Sequence, residues 1–365
     1  MAAPFQWSLA ALETLMAEDQ MDQHAAVLRA FSVVELWRLR RVCRAFHRWG
    51  TAALAAMPRV VAVGGEDTDG EPTAGAEVLD LSTLRWSSGV VPALPEPRKW
   101  HSACGTGDGR VVVVGGGQAQ TALQWLPGSV GWALLPDMTA GRHSHAAAFL
   151  PDGRVMVIGG YNESGDVESV ASAEVLAADG SGWSALTPMS AGRAEHVAAL
   201  LPCGRLLVAG GWSSGRVLKT AKLWDPATGA WSDLPPMAHE RSGAGCCALP
   251  SGRLAVVGGY HNGYRSDAEA FDPVTRTWQP LPPMANNRYS FGLVAVSGGL
   301  LAAGGNYEGN QGVRDELFDE ASGRWFELPH PMAQPRRSAR VVSLPTAALQ
   351  APAPAAAEEA AAAAC

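Results

Sequence analysis

Six short apolar runs punctuate this chain: VVAV, VVVV, VMVI, LLVA, LAVV and LLAA. Each ends in a glycine pair, at Gly64-Gly65, Gly115-Gly116, Gly159-Gly160, Gly210-Gly211, Gly258-Gly259 and Gly304-Gly305. A run with no polar alternation predicts a strand covered on both faces. The unit from Arg241 to Leu281 displays the whole pattern. Small and apolar residues 242–249 predict a first strand, a. Pro250-Ser251-Gly252-Arg253 predicts a tight turn, because Gly accepts positive φ. Leu254 to Val257 is strand b. Its Gly-Gly end leaves no side chain where backbones crowd. After a polar loop, Ala268 to Asp272 alternates as a strand with two faces does, which makes it strand c. A turn over 272–276 leads to strand d, Thr277 to Leu281.

The spacing of the pairs, about 44 to 51 residues, identifies a repeat architecture. One four-stranded antiparallel sheet cannot bury both of its faces. Sheets stacked radially cover one another. A tryptophan follows each pair (Trp86, Trp132, Trp183, Trp231, Trp278, Trp325) and is the expected packing residue between sheets. The first unit begins at strand b, Val60 to Val63. The last supplies only a strand a, Ser338 to Leu344. A closed ring of six sheets results if this C-terminal strand completes the first, which removes the exposed edges.

The Gly-Gly pairs, the later acidic or aromatic strand (Glu77, Glu174, Trp224, Phe271, Phe318) and the spaced tryptophans resemble the kelch motif. The resemblance covers roughly residues 59 to 345 and implies an all-β, six-bladed kelch propeller closed by a C-terminal innermost strand. Residues 346–365 form an Ala/Pro-rich tail, expected to be disordered or weakly helical.

Residues 1–58 read differently, as a small α-helical segment. Leu28, Phe31, Val34, Leu36, Leu39, Val42, Phe46 and Trp49 recur at helical intervals, and Ser32 with Glu35 can form a capping box. The stretch from Val27 to Trp49 resembles the second half of an F-box, although MAEDQMDQHAA stands where that family has its Leu-Pro opening. The resemblance implies that these eight apolar residues dock an adaptor of the Skp1 type in a cullin-RING ubiquitin ligase. The same residues also fit a helical cap packed on the propeller. The run RLRRVCR could serve as a nuclear-localisation patch.

In antiparallel blades, the Gly-Gly ends and the long b–c loops share one face of the disc. The short a–b and c–d turns share the other. The b–c loops have individual sequences and carry aromatics: Tyr161, Trp212, Tyr260, Tyr264 and Tyr307. Varied loops on a rigid frame favour binding, and aromatic and Arg side chains anchor interfaces. An arginine opens each unit on this face: Arg98, Arg142, Arg193, Arg241, Arg288 and Arg336. These six either tie neighbouring blades together through backbone carbonyls or grip carboxylates or phosphates of a partner. In the ubiquitin-ligase adaptors that the propeller resembles, arginines at this motif position contact acidic peptides. Glu66, Asp67, Glu163, Asp166, Glu195, Glu240 and Glu308 lie on the same face and offset part of the positive field.

His101, His145 and His196 recur three residues after their arginines, with His143 alongside. A packing role is expected for them, and no metal or other cofactor is expected. The net charge of −7 and the lack of a basic stripe point away from nucleic acid. No apolar stretch is long enough to cross a bilayer, and no secretory signal is evident. Six cysteines without framework spacing fit a reduced intracellular protein, cytoplasmic or nuclear. No Walker, Rossmann, nucleophile-elbow or Tyr–Cys–His constellation is present. The expectation is a non-enzymatic adaptor that binds a target protein or peptide on the b–c loop face and a ligase adaptor through residues 1–58. A plain interaction scaffold and a kelch-fold enzyme are the alternatives.

Overall fold

The computed structural model describes residues 28, 31–41, 44–117, 119–162, 168–306 and 314–350. They form a six-bladed all-β propeller with a small helical segment before it. In blade 5 the strands run Gly245–Ala248, Leu254–Val257, Ala268–Asp272 and Thr277–Leu281 from the hub outwards, as the sequence pattern predicts. In blade 1 the innermost strand is Arg340–Leu344, antiparallel to Arg59–Val63, with Val63 opposite Arg340 and Arg59 opposite Leu344. The far terminus therefore closes the ring.

The b strands are buried along their whole length because their side chains alternate between two neighbours. Val61 and Val63 pack with Val111, Val113, Leu123 and Trp125 of blade 2. Val60 and Ala62 point the other way, to Leu301, Ala303 and Leu317 of blade 6. The described residues contain six such core clusters, one at each blade interface. Period-two geometry thus turns an unbroken apolar run into two half-cores. The glycine pair that ends the strand is required by both shape and space. At Gly210 and Gly211 φ is 65° and 95°, and an added Cβ would lie 2.5 Å from the carbonyl oxygens of Arg241 and Ala194.

The strand-d tryptophans join the blades by hydrogen bonds as well as by packing. Trp132, Trp183, Trp231, Trp278 and Trp325 donate Nε1–H to the carbonyls of Pro92, Pro136, Thr187, Pro235 and Pro282 in the connection leaving the preceding blade, at 2.8–3.0 Å. At the seam Trp86 donates instead to the buried carboxylate of Asp315 in blade 6, at 2.7 Å. Burial pushes that carboxyl up to about 6.

Helix α1 (Val33–Leu39) begins at Ser32 with the expected capping box. Helix α2 spans Arg44–Ala56. Both pack on the a–b and c–d turn side at blades 6 and 1. The Val33 N–H donates to Ser297 O, Trp37 Nε1 to Leu81 O and Arg40 Nη1 to Ser82 O. A third helix, α3 (Thr346–Gln350), lies within the segment expected to be tail. It belongs to the fold because Ala348 is buried and Leu349 packs on the core between blades 1 and 2. Residues 351–365 lie outside the described residues.

Ending the chain before Arg336 removes the inner strand of blade 1 and opens the ring. The expected result is loss of the single cooperative unfolding transition, followed by circular dichroism on heating. A truncated protein that melts like the full chain would contradict closure by this strand.

Candidate functional site

Each blade-opening arginine sits between two blades and bonds to both. Its backbone carbonyl accepts from the second glycine of the preceding blade. The six bonds run from the N–H groups of Gly65, Gly116, Gly160, Gly211, Gly259 and Gly305 to Arg98, Arg142, Arg193, Arg241, Arg288 and Arg336, at 2.7–3.1 Å. Its guanidinium reaches into the following blade, to the carbonyl of the first glycine. Nη1 to that oxygen measures 3.1 Å for Arg98, Arg142 and Arg193, and 2.9 Å for Arg241. It is 3.0 Å for Arg288 and 3.3 Å for Arg336. All six arginines are at most 6% exposed. The expectation that this ring presents guanidiniums to a partner is corrected here: they are turned inward, and their terminal nitrogens bond to acceptors of the blades. The alternative reading, a tie between neighbouring blades, describes them.

The strand-c residue paired with the penultimate residue of strand b decides what completes each clamp. In blades 1, 3, 5 and 6 it is Glu77, Glu174, Glu269 or Glu316, ion-paired to Arg336, Arg142, Arg241 or Arg288. These carboxylates also accept from backbone N–H groups three residues before the arginine, at Ala333, Thr139, Ala238 and Ala285. In blades 2 and 4 the position holds Leu123 or Lys222, and a threonine hydroxyl, Thr121 or Thr220, serves the guanidinium. With no carboxylate in contact, burial lowers Arg193 to about 10 and lowers Arg98 in the same direction.

Two residues after each arginine the backbone turns left-handed, at Trp100, Ser144, Glu195, Gly243, Ser290 and Ser338, with φ of 52–57°. That conformation costs a non-glycine residue about 1 kcal/mol. A chain of backbone hydrogen bonds holds it: Ser144 donates to Trp100, Glu195 to Ser144, Gly243 to Glu195, Ser290 to Gly243 and Ser338 to Ser290, at 2.7–2.9 Å. The result is a polar rim around the mouth of the hub. The register could have been found by counting from the arginines, but the φ values that give these side chains their place follow from ring geometry.

Two aromatic groups stand on this rim. Trp100, His143 and Tyr161 stack in series, with centroids 5.4 and 5.3 Å apart. Tyr260, Tyr264 and Tyr289 form a triangle with sides of 5.7–6.1 Å. Glu195 lies between the two groups and is hydrogen-bonded by Tyr289 and Ser242; burial raises its carboxyl above the ordinary value. The structure thus brings together the expected Tyr161, Tyr260 and Tyr264, and adds Trp100, His143 and Tyr289. Trp212 lies on the same face, paired with Ala194 and half-buried. Tyr307 lies outside the described residues, as do Glu163, Asp166 and Glu308.

His101, His145 and His196 are buried on the inner strands, each ring against the first glycine of the preceding blade: Gly64, Gly115 and Gly159. Burial and the adjacent arginines hold His101 and His196 down at about 3, and His145 well below its usual range. These rings pack as neutral groups. Among the described residues, no three His, Cys, Asp or Glu side chains gather as a metal would need.

The residues expected to dock an adaptor are largely occupied within the molecule. Leu28, Val34 and Leu36 are buried in the core between blades 6 and 1, and Phe31, Leu39 and Trp49 pack against it. Val42 and the side chain of Phe46 lie outside the described residues. Among the described residues of α1, α2 and the link between them, Arg38, Arg41, Arg44, His47 and Arg48 are exposed.

Glycine-paired blades, arginine clamps and an aromatic loop face define a kelch-type propeller, a fold that generally serves protein interaction. The chain belongs to the KLHDC2/KLHL20/DRC7 kelch-repeat domain family, whose model matches residues 133–339. It is similar to Kelch domain-containing protein 2 of Bos taurus, with 29% identity over 75 residues. That stretch is 20% of this chain and 18% of that protein, so the chain matches under a fifth of its relative's length. Among solved structures, the one titled "Structure of YjhT" aligns with a TM-score of 0.61 at 18% identity. The alignment covers 70% of this chain and 90% of that one, a likeness of fold. No described helix is long and apolar enough to cross a membrane.

Two predictions follow from the clamps and the histidines. Glu174→Ala removes the carboxylate paired with the buried Arg142 and should destabilise the protein by about 3–5 kcal/mol. Thr220→Val in blade 4, where the hydrogen bond is neutral on one side, should cost about 1.5–3 kcal/mol. Denaturant titrations read both, and equal losses would mean the ion pairs carry no special weight. The histidines make the fold acid-sensitive. Their folded pKa values lie below the unfolded value of 6.5, so the unfolded chain binds protons first. Stability is complete above about pH 6.5 and falls towards pH 3, by up to about 1.4 kcal/mol per pH unit for each ring. His196→Gln should flatten that slope between pH 6 and 4.5, and an unchanged slope would contradict the assignment.

Proposed function

We propose that this chain is a non-enzymatic interaction protein that holds a target protein or peptide on its b–c loop face. The observation that carries the reading is the division of the two faces. One is partly covered by α1 and α2, while the other presents six aromatic-ring side chains around a polar rim on a rigid frame. Tyrosine and tryptophan with a polar handle are the commonest anchors of such surfaces. Tyr260, 41% exposed, is the most accessible of the triangle. Kelch-family membership and the varied loops support the same reading.

A second step, recruitment of a Skp1-type adaptor and so a role as a ubiquitin-ligase receptor, rests on the F-box resemblance of residues 27–49. With the apolar residues of α1 packed on the propeller, such an adaptor would meet the exposed basic face of α1 and α2. The two steps separate in one experiment on the full chain. Affinity capture should recover a target that Tyr260→Ala with Tyr264→Ala loses, at an unchanged melting temperature. Arg44→Glu with Arg48→Glu should release a Skp1-type adaptor while the target stays bound. If wild type retains no such adaptor, the ligase step falls. If the tyrosine variants keep their target, the binding face has been misplaced.

A further inference from the structure

Blade 2 has an outer wall unlike the others. Its strand d, Ala133–Leu135, stands at the open edge of the sheet. Trp132, just before it, faces blade 1 and donates to the carbonyl of Pro92. Leu134 shares that face by the period of a strand, and Val130 leads into it from the c–d turn. They are 75% and 91% exposed. The position two after the tryptophan is exposed in every blade, but elsewhere it holds Ser88, Ala185, Asp233, Pro280 or Glu327. Leu126, in the same c–d turn, and Val90, two residues before Pro92, are exposed as well. Of the six large apolar side chains exposed among the described residues, these are four. They make an apolar stripe along an unpaired strand, the kind of edge that sheets otherwise blunt with charge or cover with another element.

The described chain stops beside this stripe. Leu349 of α3 packs in the core between blades 1 and 2. Ala348 stands against the turns of blade 2: a Cβ added at Gly109 would collide with it and with Pro127, the neighbour of Leu126. Residues 351–365 continue from there as APAPAAAEEAAAAAC. Pro352 and Pro354 are unsuited to prolonging α3. Extended, residues 351–354 span about 13 Å, enough to pass the turn. Residues 355–365 are then alanine except for Glu358, Glu359 and Cys365. Alanine is the strongest helix former, yet a lone helix of this length is marginal in water and needs a surface to pack on. Wound as a helix, the segment is about 16 Å long. The strand path from Val130 to Leu134 is about 14 Å, a close match. Helical spacing sets Ala357, Ala360, Ala361 and Ala364 on the side opposite Glu358 and Glu359.

We propose that the outer wall of blade 2 is the docking site of this chain's own residues 355–365. They lie on it as a short helix, alanine side against Val130, Trp132 and Leu134, glutamates towards water. The molecule thereby covers its one apolar sheet edge and keeps it from pairing with another sheet. The contact is on the outside of the disc, away from the loop face assigned above to a target, so either reading can fail without the other.

Hydrogen exchange of the full-length protein, read by mass spectrometry, compares wild type with two variants of equal charge. Ala357→Glu with Ala364→Glu charges the side assigned to the stripe, and Ala355→Glu with Ala362→Glu charges the other. The first pair should speed exchange over residues 129–135 and 355–365 about tenfold, and the second should leave both at wild-type rates. The turn at 272–277, where Val274 is also exposed, should not respond to either pair. Val130→Asp with Leu134→Asp, at two exposed positions, should speed exchange of 355–365 by the same factor. Light scattering on the same samples reports the mass in solution. A dimer whose protection of 129–135 rises with protein concentration would assign the cover to a second copy and overturn the proposal. Exchange over 129–135 that neither alanine pair alters would also overturn it. So would equal effects of the two pairs, or a 355–365 segment indifferent to Val130→Asp with Leu134→Asp.

Discussion

Every blade junction in this propeller is fastened by one arginine that bonds in two directions. Its carbonyl belongs to the blade before and its guanidinium to the blade after. A packed apolar interface alone is tolerant of sliding, since apolar contact is non-directional. The arginine adds direction: planar donors that must meet the carbonyl of one particular glycine. That carbonyl is reachable only because the glycine pair carries no Cβ and adopts positive φ. Glycine pair and arginine are therefore one device, and neither works without the other.

The clamp also explains the polar rim. Fixing residue Arg241 on both sides leaves little freedom to Gly243 two positions later, and the same holds around the ring. Four of the six rim positions are a serine or a glycine, but Trp100 and Glu195 adopt the same left-handed backbone. Ring geometry overrides local preference there. The large side chains so placed are the ones that give the mouth its chemistry.

Much of this was legible in the sequence. The period, the four strands per blade, the closure by the last strand and the tryptophan contacts all follow from runs of a few residues whose meaning does not depend on distant partners. The arginines show where that stops. Their spacing was visible, yet direction was not: the guanidinium of Arg142 turns to the carbonyl of Gly159, and those of Arg98 and Arg193 turn the same way with no glutamate in strand c, because the acceptors are brought there by the folded blade. The helical segment shows the same limit. Leu36 and Val34 have the pattern of a helix with one apolar face, and that pattern is equally satisfied by a partner or by the propeller's own turns. Arg340 was hidden for another reason. It sits in a strand that is read as an edge-closing element, and its neighbours in space are the equivalent residues of five other repeats, scattered over more than two hundred positions.

Closure by the C-terminal strand gives the ring its one strong asymmetry. Five blades take all four strands from one continuous stretch. Blade 1 takes its inner strand from the far end, just before α3. Among the described residues lining the channel that strand carries the one arginine, Arg340, which also borders the mouth beside the rim residue Glu195.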